Sequence, residues 1–463
     1  KKYRLIMNQL KKIQLEYFRG FFEDQTIEFA IPQEDKPGSG ITLIVGPNNT
    51  GKTSVIEALL FNEKKRFKES ERHSNSPNII IKTDTGGTRT FTNINNGSQV
   101  KKTDALDPTI GFEVIQSRRY WNYISNGSRT TNQFLNESRE LDVRNAGNLD
   151  MTGLLKEINK HEEQKNKFNS LIKNIMPNFT DWTIDTHESG DYVKYITANT
   201  GHQASFLGDG YMSIFRICAH LVSDDKNRVL IIDEPELSLH PTAQKALSSM
   251  LSEAAKEKQI IICTHSPYYV NWMDFINGAK FIRLNKINDL KCTVSILDNT
   301  KNYVKFIKKS LAEWQRPQLL DIVAKEILFS EKILFVEGQE DMGLIKKWAI
   351  NNDKNLNFDI FGYGVGGYSN MKLFLEMSRD LGLHKVAALY DSGVYTDEHY
   401  EKDKKEFGNY HFEKLPTDDI RDKPKATPKP KKGCFDEHGN IKKEYETEFN
   451  EIMERIINYF KEI

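Results

Sequence analysis

The sequence predicts an α/β protein in two parts: a first part carrying a helical insertion, and a second built on a doubly wound, mainly parallel sheet. Three observations carry that prediction. A glycine-rich loop, Gly46-Pro47-Asn48-Asn49-Thr50-Gly51-Lys52-Thr53-Ser54, follows the apolar run Ile41–Val45 and precedes a helical pattern. From about residue 228 to 390, short apolar runs alternate with helical stretches, as parallel strands joined by crossover helices require. The length, 463 residues with 38% hydrophobic and 28% charged residues, allows two or three domains with cores of their own.

Charge excludes some classes of function. Sixty-five Lys and Arg balance 65 Asp and Glu, so the chain is no histone-like polyanion binder, although a local basic groove remains compatible with neutrality. No apolar stretch reaches the roughly 18 residues that cross a bilayer, so no membrane partner is expected. Cys218, Cys263, Cys292 and Cys434 are scattered, which fits a reducing, cytoplasmic setting. Cys434 and His438 lack the further ligands that a zinc site needs.

The elements follow in order. Ile13-Leu15-Tyr17 and Ile27-Phe29, separated by Gly20, read as an antiparallel pair; Ile41–Val45 reads as a buried central strand, and 52–62 as a helix. Residues 64–104 are polar with turn signals at Gly86-Gly87 and Asn95-Asn96-Gly97, a strand-and-loop excursion. Within an insert of about 125–178, Leu154, Leu155, Ile158, Phe168, Leu171, Ile172 and Ile175 recur at helical spacing. They suit either a surface helix pair or a dimer contact. Helical residues 301–330, with Pro317, read as a linker between a head at 1–300 and a second domain at 331–463. The run 423–432 is basic and Pro-rich, either a solvated loop or a phosphate contact.

The loop at 46–54 matches the P-loop pattern in the strand–helix setting that makes it meaningful. Backbone N–H groups around Gly46, Asn49 and Gly51 would cradle phosphate, Lys52 would reach the β- and γ-phosphates, and Thr53, beside Ser54, would ligate Mg²⁺. Val229–Ile232 ends in Asp233-Glu234, a Mg²⁺ ligand and a residue that polarises the attacking water. The strand Ile260–Cys263 delivers His265 to the same edge, within reach of a γ-phosphate.

These motifs, in this order, resemble the ABC-type ATPases of the structural-maintenance-of-chromosomes and recombination class. The resemblance makes Gln116, after the strand 111–115, the Q-loop residue, and makes Asp233–Pro241 the Walker B and D-loop. It also puts Ser205-Phe206-Leu207-Gly208-Asp209-Gly210 at the signature, with Gly208 and Gly210 toward nucleotide, although the wording departs from L-S-G-G-Q. It implies ATP as cofactor and a head-to-head homodimer or higher homo-oligomer.

In the second part, the strand Ile333–Val336 ends in Glu337-Gly338, Asp341 lies in the following helical turn, and Val386–Tyr390 ends in Asp391. Carboxyl ends of parallel strands are where ligands bind. Three carboxylates there suit Mg²⁺ or Mn²⁺, with Ca²⁺ as an alternative, and support two-metal phosphodiester chemistry. Glu337-Gly338, the Gly-rich turn 362–367 and Asp391 resemble a Toprim domain. That pattern has a second acid at the position of Gly393; Asp397 or the pair Asp418-Asp419 is the substitute, and Lys423 or Lys442 the basic residue that completes the nuclease site.

An ABC-type ATPase followed by Toprim resembles the overcoming-lysogenisation-defect (OLD) family of nucleases, found in anti-phage defence systems of Gabija-like or retron type. The resemblance implies a metal-dependent DNA endonuclease regulated by ATP, with Glu337, Asp391, Glu234 and Lys423 in catalysis and Glu337, Asp341, Asp391 and Asp419 on metal. It implies DNA, a second copy and a defence partner protein or ribonucleoprotein as partners. The alternative is an ATPase scaffold whose second domain binds nucleic acid without cutting.

Overall fold

The computed structural model describes residues 9–61, 78–83, 86–93, 100–104, 110–115, 151–187, 190–198, 200–203, 209–223, 228–287, 291–313, 320–426 and 429–461. The chain divides into two compact units, 1–294 and 295–463.

In the first unit the strands are β1 (Leu10–Glu16), β2 (Gln25–Glu28), β3 (Ile41–Val45), β4 (Asn78–Thr83), β5 (Thr88–Asn93), β6 (Val100–Asp104), β7 (Gly111–Ile115), β8 (Phe179–His187), β9 (Gly190–Thr197), β10 (Thr200–Gln203), β11 (Arg228–Asp233), β12 (Ile260–Cys263), β13 (Lys280–Lys286) and β14 (Cys292–Ile296). The helices are α1 (Lys52–Leu59), α2 (Met151–Lys160), α3 (Glu162–Ile175), α4 (Asp209–Val222), α5 (Pro241–Ala254) and α6 (Trp272–Asn277).

The central sheet runs β14-β13-β3-β12-β11-β7. From β13 to β7 every neighbour is parallel. All five residues of β3 are buried, Thr42 among them, as expected of a central parallel strand. The register aligns Ile44, Cys263 and Asp233 in one row, so the segments after β3, β12 and β11 leave the same edge of the sheet. The pair expected at 13–29 forms as β1 against β2, and the excursion after α1 extends it into a second sheet, β2-β1-β4-β5-β6. A third sheet is the meander β10-β9-β8.

The described part of the helical insert, from residue 151 on, contains α2 and α3. Leu155, Ile158, Phe168, Ile172 and Ile175 are buried, and Phe168 meets Trp182 of β8 and Phe215 of α4 edge-on at 5.7 and 5.6 Å. A fully buried aromatic ring contributes on the order of 2–3 kcal/mol. Much of the apolar face considered above as a dimer contact is therefore spent inside its own unit.

The second unit contains α7 (Asn302–Glu313), α8 (Ile322–Lys325), β15 (Lys332–Phe335), α9 (Gln339–Asn351), β16 (Asp359–Ile360), α10 (Tyr368–Asp380), β17 (Lys385–Tyr390), α11 (Val394–Glu406), β18 (His411–Lys414), β19 (Asp419–Arg421), β20 (Gly433–Phe435) and α12 (Lys443–Lys461). Its sheet, β16-β15-β17-β18, is wholly parallel. On α12, Phe449, Ile452, Met453, Ile456, Ile457 and Phe460 form an apolar stripe that closes one core with Leu334, Val336 and Trp348. Within the stretch 301–330, Tyr303 of α7 is buried and donates to Asp380 Oδ2 at 2.8 Å, and Phe306 packs on Phe374 at 6.1 Å.

Candidate functional site

In the first unit the P-loop wraps the start of α1. Gly46, Asn49 and Gly51 take φ of 144°, 64° and 99°, which turns the backbone tightly enough to bring successive N–H groups toward one point. Lys52 Nζ donates to the Gly46 and Pro47 carbonyls at 2.8 and 2.9 Å, so its ammonium spans the loop. Burial lowers its pKa, while Glu234, Asp233 and Glu236 pull the other way. Thr53 is exposed and Ser54 half-buried, which leaves the Thr53 hydroxyl open to a cation.

Opposite stand Asp233 and Glu234. Glu234 sits at φ 48°, an uncommon conformation for a non-glycine residue. Its N–H donates to Cys263 O at 2.7 Å, and its carboxylate lies 3.9 Å from His265 Nε2. Lys52, Asp233, Glu234 and His265 are thus gathered at one edge. Burial lowers the His265 pKa, and so does Lys52.

The sequence left the role of Glu236 unread. Its Oε1 accepts from His265 N and its Oε2 from Thr264 Oγ1, both at 2.7 Å. Ser266 then donates through N to Thr264 Oγ1 at 2.9 Å and through Oγ to Gln244 at 2.7 Å. Gln244 closes the chain on Leu239 O at 2.9 Å. This ladder fixes the segment after β12 to the segment after β11. Gly210 joins it from α4, because a Cβ there would lie 2.2 Å from Ser238 O. Gln116 and Gly208 lie outside the described residues.

The second unit builds an acidic edge. Glu337, Asp341, Asp391 and Asp419 are buried, at 9, 6, 8 and 3% exposure, where unpaired carboxylates are rarely found. Glu337 Oε1 accepts from Asp391 N at 3.0 Å, and Oε2 from Tyr368 N at 3.1 Å. Asp341 Oδ2 accepts from Gly338 N at 2.7 Å. Gly338 caps α9 and Tyr368 opens α10, so two of these N–H groups come with the positive end of a helix dipole, while Asp391 N directly follows β17.

The Gly-rich turn 362–367 clasps Glu337. Gly366 and Gly367 donate to the Glu337 carbonyl at 3.0 and 2.9 Å. Gly364, at φ 61°, lies so close to Gly338 that a Cβ would meet its backbone at 2.7 Å; only glycine fits there.

The four carboxylates act on one another. Burial, then Asp419 and Glu337, push Asp341 up to about 7. Burial, then Asp341, Glu337 and Asp419, hold Asp391 well above the usual carboxylate range. Glu337 is raised by burial against the N–H groups of Asp391 and Tyr368. Of the substitutes for the missing acid, Asp419 joins the set. Asp397 pairs with Lys414 at 3.0 Å instead, and Asp418 is half-buried.

The two basic candidates separate as well. Lys423 reaches Asp419 Oδ2 at 2.8 Å and Glu340 at 3.1 Å, whereas Lys442 binds Asp422 at 2.9 Å. Lys431, which the sequence did not single out, lies 3.1 Å from the same Asp419 oxygen. Cys434 is buried beside Thr417 at 3.2 Å, and His438 N binds Asp436 in a turn.

Among the described residues no three His, Cys, Asp or Glu side chains stand close enough to grip a metal as they are. Glu337 and Asp341 are turned to backbone N–H groups and Asp419 to lysines. The donor set nonetheless suits a hard divalent cation: four carboxylates, whose mutual repulsion a cation would relieve, and no thiolate or imidazole.

A P-loop after β3 of a parallel sheet, facing paired acids at the end of β11 one strand removed, defines a nucleotide-binding ATPase. The sequence matches the AAA ATPase domain over residues 9–126 and 115–270, and the chain belongs to that family. Endonuclease GajA of Bacillus cereus (strain VD045) is 27% identical over 65% of this chain and 49% of its own length. OLD nuclease of Thermus scotoductus is 33% identical over 37% of this chain and 32% of its own. The similarity to OLD-family nucleases of the Gabija type, inferred above from motifs, is borne out by these relatives. The chain spans about half the length of the first of them or less. The structure of an SMC head domain from Thermotoga maritima aligns with 63% of this chain and 99% of its own, at 17% identity and a TM-score of 0.38. No described helix is long and apolar enough to cross a membrane.

Proposed function

We propose that this chain is a divalent-metal-dependent DNA endonuclease regulated by ATP, working as a head-to-head dimer in anti-phage defence beside a partner protein or ribonucleoprotein. The observation that carries the nuclease reading is the set of four buried carboxylates with two lysines on Asp419. Burying so much like charge costs several kcal/mol, and a fold keeps such a set where a cation and a phosphodiester are handled.

In this reading the second unit is a Toprim domain. Glu337, Asp341, Asp391 and Asp419 hold Mg²⁺ or Mn²⁺, which when bound orients the nucleophile and balances charge on the phosphodiester oxygens. Lys423 lies beside the set to meet the scissile phosphate. In the first unit Lys52 and the P-loop amides bind the ATP phosphates, Thr53 and Asp233 hold their Mg²⁺, and Glu234 orients water. His265, kept neutral at pH 7, is able to share a proton with a phosphate oxygen.

The test is supercoiled plasmid incubated with Mg²⁺ or Mn²⁺, with and without ATP, comparing wild type with Glu337→Ala, Asp391→Ala and Lys52→Ala. Nicking or linearisation that both acid variants lose is expected. Plasmid left intact by wild type under every condition defeats the nuclease reading and favours a scaffold that binds DNA without cutting.

A further inference from the structure

The basic Pro-rich segment is neither a free loop nor a simple ion pair. Its arms close on each other through reciprocal backbone bonds, Lys423 N to Lys431 O at 3.0 Å and Lys431 N to Lys423 O at 3.1 Å. That register sets both side chains on one atom, Asp419 Oδ2, at 2.8 and 3.1 Å. Asp419 is 3% exposed, yet the two lysine side chains are 37 and 44% exposed. The cations thus reach in from solvent to a buried acid.

Their influence extends across the set. Lys431 acts to lower the pKa of Glu337 and Asp391, and Lys423 that of Asp341. Arg421, at the base of one arm, is tied to Glu340 at 2.5 Å. On the same segment Lys425, Lys429 and Lys432 are exposed. The hairpin therefore carries cations on both sides: two toward the carboxylates, three toward solvent.

We propose that this hairpin is a cation-exchange gate. Lys423 and Lys431 hold Asp419 until a divalent cation takes it. The released ammonium groups, with Lys425, Lys429 and Lys432, then bind backbone phosphates of a DNA strand. The inference rests on the reading above that the carboxylates take such a cation. Three physical points support it. Like charges cannot share one carboxylate oxygen at full strength, so a divalent ion on Asp419 weakens both lysine contacts. A lysine head on a flexible four-carbon stem moves to a new anion at little cost. Exchange also makes cation and strand bind cooperatively, and by linkage each raises affinity for the other by the same factor. A static ion pair gives no such coupling.

The test uses the full chain. Mn²⁺ affinity is read from the free-ion EPR signal, and DNA affinity from the anisotropy of a fluorescein-labelled duplex with and without Ca²⁺. Removing the internal competitors in Lys423→Gln/Lys431→Gln should tighten Mn²⁺ binding about tenfold, since two unit charges leave the acidic set. The same variant should lose the gain in DNA affinity that Ca²⁺ gives wild type. Lys425→Gln/Lys429→Gln should weaken DNA binding and keep Mn²⁺ affinity within about twofold, the opposite pattern, because those lysines face solvent. Where the first pair fails to fold by circular dichroism, Lys431→Gln alone, at the more exposed position, should show the same tightening at reduced size. Folded variants whose Mn²⁺ affinity is unchanged or weaker overturn the gate. Wild type with no Mn²⁺ affinity that Glu337→Gln and Asp391→Asn remove defeats the metal reading itself.

Discussion

Replacing Gly364 by Ala tests whether the turn that clasps Glu337 depends on the absence of a side chain. The added Cβ would stand 2.7 Å from the N, Cα and C atoms of Gly338, all backbone and unable to swing aside. Overpacking of this kind costs about 1–3 kcal/mol, and an L-residue held at φ 61° costs about 1–2 kcal/mol more. Partial relaxation makes a net loss of ~2–4 kcal/mol the expectation. At roughly 2–4 °C per kcal/mol, the second unit should melt ~5–15 °C earlier. Hydrogen exchange locates the damage: the Gly366, Gly367 and Tyr368 amides, which donate to Glu337, should lose protection first. Gly343→Ala is the matched control, since a Cβ there meets nothing within 4 Å and should stabilise α9 by ~0.5–1 kcal/mol. Gly364→Ala with wild-type melting and wild-type protection refutes the clasp; equal losses in both variants refute its steric cause.

Three further outcomes follow from named contacts. ATP at 100 times its Kd should stabilise the first unit by ~2.7 kcal/mol; in Lys52→Ala, which lacks the ammonium now bound to Gly46 and Pro47, calorimetry should record no such shift. His220, buried against Glu113 at 3.3 Å, is pushed down to about 4 by burial from its ordinary 6.5. The unfolded chain takes up that proton first, so stability falls between pH 6.5 and 4, by up to ~3 kcal/mol, and urea unfolding of His220→Gln should lack this slope. Burial would raise Glu413, but His411 and the Arg455 fork, at 2.8 and 2.9 Å, hold it at about 2. Its stabilisation is present above pH 4.5 and lost as pH falls toward 2, and because Arg455 is half exposed, Glu413→Gln should cost only ~1–2 kcal/mol at pH 7.

What could be read from sequence was what local order determines. The P-loop, the Asp233-Glu234 pair and His265 sit at strand ends whose apolar runs are unmistakable, so the parallel order of β3, β12 and β11 brings them together. Glu337 and Asp391 were legible for the same reason. The choice between Asp418 and Asp419 was not, because adjacent residues of a strand face opposite ways and the register of β19 is set by β20, twelve or more residues on. Lys431 was hidden likewise, since its bond to Lys423 crosses a Pro-rich run with no periodicity to read. The helical character of 301–330 was visible, but not that Asp380 and Phe374 would meet Tyr303 and Phe306 of α7. The ladder from Glu236 to Gln244 depends on side chains from two separate segments, which no spacing rule reports.

Neutrality of the whole chain, 65 cations against 65 anions, first argued against strong affinity for a polyanion. The second unit shows why that argument is weak. Its lysines at 423 and 431 meet the acid at 419 within hydrogen-bonding range and offset two of the four charges of the acids at 337, 341, 391 and 419. A sum of charges cannot distinguish such a pairing from a surface without charge. The two respond differently to ligand: a divalent ion entering the acidic set would balance the acids that the lysines leave uncompensated and release the lysines, which lie at the surface, to another anion. DNA affinity of that kind would be absent from the composition because it is conditional, and the relevant quantity is the number of lysines left without an acid once the cation is bound. The salt dependence of DNA binding should accordingly steepen when Ca²⁺ is added, as more lysine–phosphate contacts release more counterions.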